Sequence, residues 1–204
     1  MQGQGRGHDP GKGGGGEAIS IDRSLCEESN KRVDSFDLNK DGKPDVWRMY
    51  AGQTLVCKQI DFDRDGRKDW IVAYDANGKT LYQQADFDYD GKYDMLAVFD
   101  VATGHATEVQ RDTDFDGAFD VKEVYGAGGA LTSVRRDRNG DNKPDQWEQY
   151  SDATVVAITY DDDYDGKVDR KEDAPGTTAP PVQPAPTPDP PEATPPAPAP
   201  APKK

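Results

Sequence analysis

Asp61-Phe62-Asp63-Arg64-Asp65-Gly66-Arg67-Lys68-Asp69 has the form D-x-D-x-D-G-x-x-D, and the chain writes this nine-residue frame six times. The other copies begin at Asp37, Asp86, Asp112, Asp137 and Asp161, so successive starts lie 24, 25, 26, 25 and 24 residues apart. A period in this range marks a repeat protein, in which each unit is one supersecondary element that buries its apolar face against its neighbours.

Carboxylates at alternate positions of a tight turn bring several oxygens to one side of the loop. Left unpaired they repel one another, and a divalent cation turns that repulsion into coordination. Calcium takes six to eight oxygen ligands, and a glycine at position 6 permits the sharp bend. The expected ligands are Asp61, Asp63, Asp65 and Asp69 in loop two, Asp86, Asp88, Asp90 and Asp94 in loop three, Asp112, Asp114, Asp116 and Asp120 in loop four, and Asp161, Asp163, Asp165 and Asp169 in loop six. Loops one (Asp37, Asn39, Asp41, Asp45) and five (Asp137, Asn139, Asp141, Asp145) use Asn, still an oxygen donor, at position 3. The position-7 carbonyls of Lys43, Arg67, Lys92, Ala118, Lys143 and Lys167 are expected to complete the shells, giving up to six Ca²⁺. A single Asp-Gly loop could equally be a plain turn; six in one register point to a metal. With only Cys26, Cys57, His8 and His105, a zinc or iron site is disfavoured. Position 12 is Glu in loops four to six (Glu123, Glu148, Glu172) but Arg48, Val72 and Ala97 in loops one to three. Position 9 is therefore expected to close every shell, with the late Glu residues optional. Loop five, which has Asn142 in the glycine slot, is expected to be the weakest.

After each of the first five loops comes an aromatic-ended run: Val46–Tyr50, Trp70–Tyr74, Met95–Phe99, Val121–Tyr125 and Gln146–Tyr150. Runs this short and rich in aromatic and β-branched residues favour strands. Turn signals such as Asn77-Gly78 follow, then returning strands Thr54–Ile60, Thr80–Ala85, Ala106–Arg111, Leu131–Arg136 and Thr154–Tyr160. The expected fold is all-β: a meander or solenoid of five hairpins, with metal loops along one edge and glycine turns along the other. Tyr50, Tyr74, Phe99, Tyr125 and Tyr150 share one repeat position and are expected to pack as a ladder between hairpins. The competing role is a sugar-stacking platform helped by Trp47, Trp70 and Trp147.

The repeat domain spans 33–174. Before it, residues 1–16 carry eight glycines and read as a flexible tail, and 17–32 form a lead-in with a helical turn expected around Ser24–Lys31. After it, 175–204 holds thirteen of the sixteen prolines and reads as an extended spacer. Net charge is −14, and positions 1, 3, 5 and 9 of the loops hold 22 of the 39 acidic residues, so six divalent ions would offset most of that charge. This balance argues against nucleic-acid binding. No run of 18 apolar residues exists to form a transmembrane segment. Met1-Gln2-Gly3-Gln4 does not read as an export signal, so the exported reading places such a signal outside this chain. In an oxidising compartment Cys26 and Cys57 can pair, stapling the lead-in to the first hairpin; two free buried thiols are the alternative.

At D-L-N-K-D-G-K-P-D-V-W (37–47) and D-R-N-G-D-N-K-P-D-Q-W (137–147) the chain resembles the tandem calcium-loop repeats of bacterial cell-surface lipoproteins. The loop is also similar to those of thrombospondin type 3 repeats, dockerins and integrin propellers, although dockerin loops are followed by helices and these by strands. The resemblance implies an exported, non-enzymatic calcium-binding protein of the extracellular space, cell surface or periplasm. Such a protein serves as a structural, adhesive or envelope-assembly component, with a surface protein or polysaccharide as partner. The alternative is a carbohydrate-binding module using exposed Trp and Tyr. An enzyme is disfavoured because the carboxylates stand at metal-ligand spacing, no Ser/His or Cys/His set is present, and His105 reads as a solvated turn residue.

Overall fold

The computed structural model describes residues 19–173, together with the backbone of 177–178. The expectations for 1–16 and for most of 175–204 concern residues outside that range. Within it the chain is all-β. Thirteen strands form one antiparallel sheet: β1 (Arg32–Phe36), β2 (Val46–Ala51), β3 (Thr54–Ile60), β4 (Trp70–Tyr74), β5 (Thr80–Ala85), β6 (Met95–Phe99), β7 (Ala106–Arg111), β8 (Val121–Tyr125), β9 (Leu131–Arg136), β10 (Gln146–Ser151), β11 (Thr154–Tyr160), β12 (Arg170–Glu172) and β13 (Thr177–Thr178). Strands β1 to β12 lie in chain order, and β13 pairs with β11. The ten hairpin strands fall where their patterns place them.

Three strands lack a sequence signal. β1 precedes loop one, beginning one residue inside the lead-in, and β12 follows loop six with the sequence Arg170-Lys171-Glu172. Neither has the apolar alternation of the others. Each is held because its loop aims it at a neighbour already in place: Asp45 N–H bonds the Phe36 carbonyl, and Asp169 N–H bonds the Tyr160 carbonyl, both at 2.8 Å. Charged, short strands also blunt the open edges of a sheet. β13 lies at the start of the proline-rich segment, so that segment begins with two residues paired to Thr154 and Val155 rather than with a free spacer.

Every hairpin carries a bulge at the same place. The register shifts between Met49 and Tyr50, Ala73 and Tyr74, Val98 and Phe99, Val124 and Tyr125, and Gln149 and Tyr150. The unpaired residue is on the returning strand: Val56, Leu81, Thr107, Thr132 and Val156. Thus each ladder aromatic sits at a bulge, where strand twist increases. Between the aromatic and its partner past each bulge, Tyr50/Leu55 through Tyr150/Val155, lie four, five, six, five and four residues. The variation in repeat length therefore falls wholly in the turns opposite the metal-type loops.

Side chains alternate across the sheet, as period-two strands require. One cluster joins Trp70, Val72, Met95, Ala97, Val109, Val121, Tyr125, Leu131 and Val134, with Tyr74, Phe99 and Tyr150 packed against it. The ladder thus belongs to the core, apart from half-buried Tyr50, which lies under the Arg32 guanidinium at 4.0 Å. The second cluster contains Met49, Cys57, Ile71, Ala73, Tyr82 and Leu96, and the lead-in covers it with Ile19, Ile21 and Leu25. The helical turn in the lead-in is a single 3-10 turn at Arg23–Cys26, shorter than the expected 24–31 and N-capped by the Asp22 carboxylate. Lys31 closes this segment by donating to the Ser24 and Glu27 carbonyls. Cys26 and Cys57 form a disulfide, with Cα atoms 5.2 Å apart. Gln59 Nε2 reinforces the staple by donating to the Cys26 carbonyl at 3.0 Å.

Replacing both Cys26 and Cys57 with Ala should cost about 2–4 kcal/mol, since the bridge closes a 31-residue separation. Urea unfolding of the full chain measures this, with loss confined to the midpoint and the repeat register unchanged.

Candidate metal centres

Each loop is a chain of side-chain-to-backbone hydrogen bonds. In loops one to five the position-1 carboxylate accepts from the N–H groups of positions 4 and 6, and in loop six Asp161 accepts from Asp165 and Gly166 at positions 5 and 6. Asp86, for example, receives Tyr89 at 2.7 Å and Gly91 at 2.8 Å, and Asp37 receives Lys40 at 2.6 Å and Gly42 at 2.8 Å. Position 3 accepts from position 5, and position 5 from position 7, as in Asp63 to Asp65 (3.0 Å) and Asp65 to Arg67 (2.7 Å). The position-9 carboxylate reaches back to the N–H groups at positions 2 and 3, as Asp45 does for Leu38 and Asn39. Through the backbone, position-9 N–H closes the loop on the residue before it. The next loop's position-1 N–H then bonds the position-9 carbonyl, as in Asp61 to Asp45 and Asp86 to Asp69. The ladder of the sheet therefore continues through the loops.

This winding takes two residues per loop into the left-handed region. Position 6 has φ between 67° and 98°, filled by glycine or by Asn142. Position 4 has φ between 62° and 73° and is filled by Lys40, Arg64, Tyr89, Phe115, Gly140 and Tyr164. The position-4 conformation has no residue signature in five loops, so the sequence did not show it. The bond from its amide to the position-1 carboxylate, present for Lys40, Arg64, Tyr89 and Phe115, compensates a conformation that L residues adopt reluctantly. In loop five the two slots are exchanged, with Gly140 at position 4 and Asn142 at position 6. The bonds survive: Gly140 and Asn142 amides donate to Asp137 at 2.8 and 2.6 Å.

Carboxylate oxygens converge in four loops. One oxygen from each of Asp61, Asp63 and Asp69 lies within 4.8 Å of the others; so do those of Asp86, Asp88 and Asp90, of Asp112, Asp114 and Asp120, and of Asp161, Asp163 and Asp169. Loops one and five, with Asn39 and Asn139, keep the same backbone bonds. Position-1 carboxylates are buried in loops two, three, four and six, and position-9 carboxylates in loops one, two, three and five. Asp37 and Asp169, on the outermost loops, are exposed. Desolvation pushes the Asp69, Asp86, Asp94 and Asp112 carboxyls above their ordinary value; backbone donors pull them down, and nearby carboxylates push them up again. An all-oxygen, anionic, partly dehydrated donor set suits a hard divalent cation.

The position-12 glutamates lie on strands and bond there. Glu148 accepts from Arg136, Gln146 and Tyr150, Glu123 accepts from Tyr125 at 2.8 Å, and Glu172 pairs with Arg170. Trp70 is buried in the core, and half-buried Trp47 lies beneath the Lys68 ammonium at 3.2 Å, so neither presents a free stacking face. Trp147 is half-buried, and His105 stands exposed in the turn between β6 and β7. Apart from Phe36 at the end of β1, the exposed aromatics among the described residues are on the loops: Phe62, Phe87, Tyr89, Phe115 and Tyr164. No helix among the described residues is long and apolar enough to cross a membrane.

No family model and no curated protein matches the chain. Among solved structures it is similar to an S. aureus TarM mutant in complex with fondaparinux, alpha-GlcNAc-glycerol and UDP, at TM-score 0.38 and 16% identity over 55% of this chain. It also resembles accessory secretory protein 1, 2 and 3 of Streptococcus pneumoniae (0.34, 16%, 63%) and the GtfA/B complex bound to UDP and GlcNAc (0.33, 11%, 72%). The matches span 21%, 23% and 24% of those chains. At such TM-scores they carry no argument about activity.

A carboxyl whose folded pKa is raised binds its proton more tightly in the native state, so its contribution to stability is lost as pH rises through that value. The carboxyls held low, such as Asp41 and Asp65, contribute stability that is constant above the ordinary 3.8 and is lost only as pH falls below it. In chelator, the melting midpoint should therefore rise as pH is lowered from neutrality toward the ordinary carboxyl value of 3.8. Asp69→Asn with Asp94→Asn should flatten that slope.

Proposed function

We propose that the chain is an exported, non-enzymatic calcium-binding repeat protein that serves as a structural, adhesive or envelope-assembly component. The observation that carries this reading is the convergence of carboxylate oxygens in one loop geometry, repeated along one edge of the sheet. In each loop, positions 1, 3, 5 and 9 supply side-chain oxygens and position 7 a carbonyl, with water completing a flexible shell. Each ion joins the end of one hairpin to the start of the next, so binding energy becomes folding energy at the junctions. Exposed loops of this kind suit dissociation constants of roughly 10⁻⁴–10⁻³ M, matched to external calcium. The Cys26–Cys57 bridge supports an oxidising compartment. The partner is a surface protein or a polysaccharide, met on an edge where exposed aromatics stand among the loop carboxylates.

Thermal melting of the full chain in EDTA and in about 2 mM CaCl₂, with calorimetric ion counting, tests the reading. A raised midpoint and about five or six bound ions are expected, with loops one and five the weakest. Because ligands bind calcium deprotonated, the calcium-induced rise should shrink on acidification, opposite to the trend in chelator. An unchanged midpoint with no bound calcium would overturn it.

A further inference from the structure

Arg67 and Lys92, each at position 7 of its loop, reach into the loop that follows. The Arg67 guanidinium pairs with Asp65 of its own loop, then crosses to loop three, where Nη1 donates to the Asp90 carbonyl at 2.7 Å and Nη2 to the Tyr89 carbonyl at 3.2 Å. Lys92 repeats the move one unit on. Its Nζ lies 3.4 Å from Asp90 and donates to the Asp116 carbonyl at 3.0 Å. Both cations end on the position-5 carbonyl of the next loop. The neighbouring glycine makes room: a Cβ on Gly91 would overlap Arg67 Nη1, and one on Gly117 would overlap Lys92 Nζ.

The sequence carries the same dependence. Position 7 is Lys43, Arg67, Lys92, Lys143 or Lys167 in five loops and Ala118 in loop four. Position 6 is glycine in five loops and Asn142 in loop five. The single loop with a side chain at position 6 thus follows the single loop with no cation to send.

We propose that the position-7 cations of loops two and three latch each of these loops to the next, and that Ala118 and Asn142 mark a break dividing the edge into a latched block of loops two to four and a second block of loops five and six. In the second block Arg138 makes the crossing, with Nη2 3.4 Å from the Asp161 carbonyl and 3.5 Å from the Asp162 carboxylate. Arg67 is tied at once to the Asp65 carboxylate and to the loop-three backbone, so ordering either loop places a group of the other. Under the calcium reading above, on which this part rests, an ion in one loop lowers the ordering cost of the next. Loops two to four then fill together.

Amide exchange of the full chain followed by NMR in EDTA tests the latch without any metal. Arg67→Ala should speed exchange of the Gly91 and Lys92 amides by about tenfold or more, the scale of a charge-assisted hydrogen bond, with loops five and six unaffected. Ala118→Lys combined with Asn142→Gly should slow the loop-five amides comparably. Unchanged exchange in both variants would overturn the latch. A calcium titration read loop by loop then tests the break: loops two to four share one midpoint, loops five and six have their own, and Arg67→Ala separates loop two from loop three. One common midpoint for all six would overturn the break. If no loop responds to calcium, the calcium reading falls, while the exchange result still decides the latch.

Discussion

Backbone amides that bond to carboxylates instead of carbonyls are what let this chain reverse direction so tightly. A nine-residue loop leaves many N–H groups without ladder partners, and unmet backbone donors are costly wherever water is excluded. The aspartates at positions 1, 3, 5 and 9 meet them, in loop three through Asp86, Asp88, Asp90 and Asp94. The same atoms concentrate negative charge. Shape and electrostatics thus pull against each other in the bare loop, and under the proposed function a bound cation would reconcile them.

That tension propagates into the sheet. A strand pair alone is marginal in water, and here each hairpin gains its neighbour only through a loop. The bond from each position-1 amide to the preceding position-9 carbonyl makes the junction part of the ladder. Short charged strands such as β12 can exist at all because the loop delivers them in register. The lead-in solves a different problem. It packs Ile19, Ile21 and Leu25 against the cluster of Met49, Ile71, Ala73 and Leu96 on the second face, and the disulfide fixes it there.

Much of this was legible in the residues. The loop frame and the aromatic-ended runs placed the ten hairpin strands, because period, turn chemistry and β propensity agreed. The Cys26–Cys57 pairing was one of two readings that the cysteine positions allowed, beside two free buried thiols, and the structure has the bridge. β1 and β12 were not legible, since their pairing comes from loop geometry and not from their own side chains. Nor were the bulges, which depend on how a strand is matched and leave no residue signature at Val56, Thr107 or Thr132. At the site, the aspartates declared themselves by spacing. The left-handed position 4 did not, because Lys40, Arg64, Tyr89, Phe115 and Tyr164 have nothing in common except a carboxylate three residues earlier. The crossing of Arg67 and Lys92 was hidden because a position-7 residue was read for its carbonyl alone.

Opposite the loops, four, five, six, five and four residues lie between each aromatic and its partner past the bulge, while the nine-residue frame never changes length. The two edges of the sheet therefore live under different rules. One is a fixed-pitch rack, where a single inserted residue would break carboxylate spacing and ladder together. The other already varies in length from unit to unit, with contacts between turns such as Lys79 Nζ to the Val101 carbonyl adjusting to it. A lineage of such chains could diversify along the turn edge, and foreign peptides could be grafted there, while the rack continues to set the spacing between units.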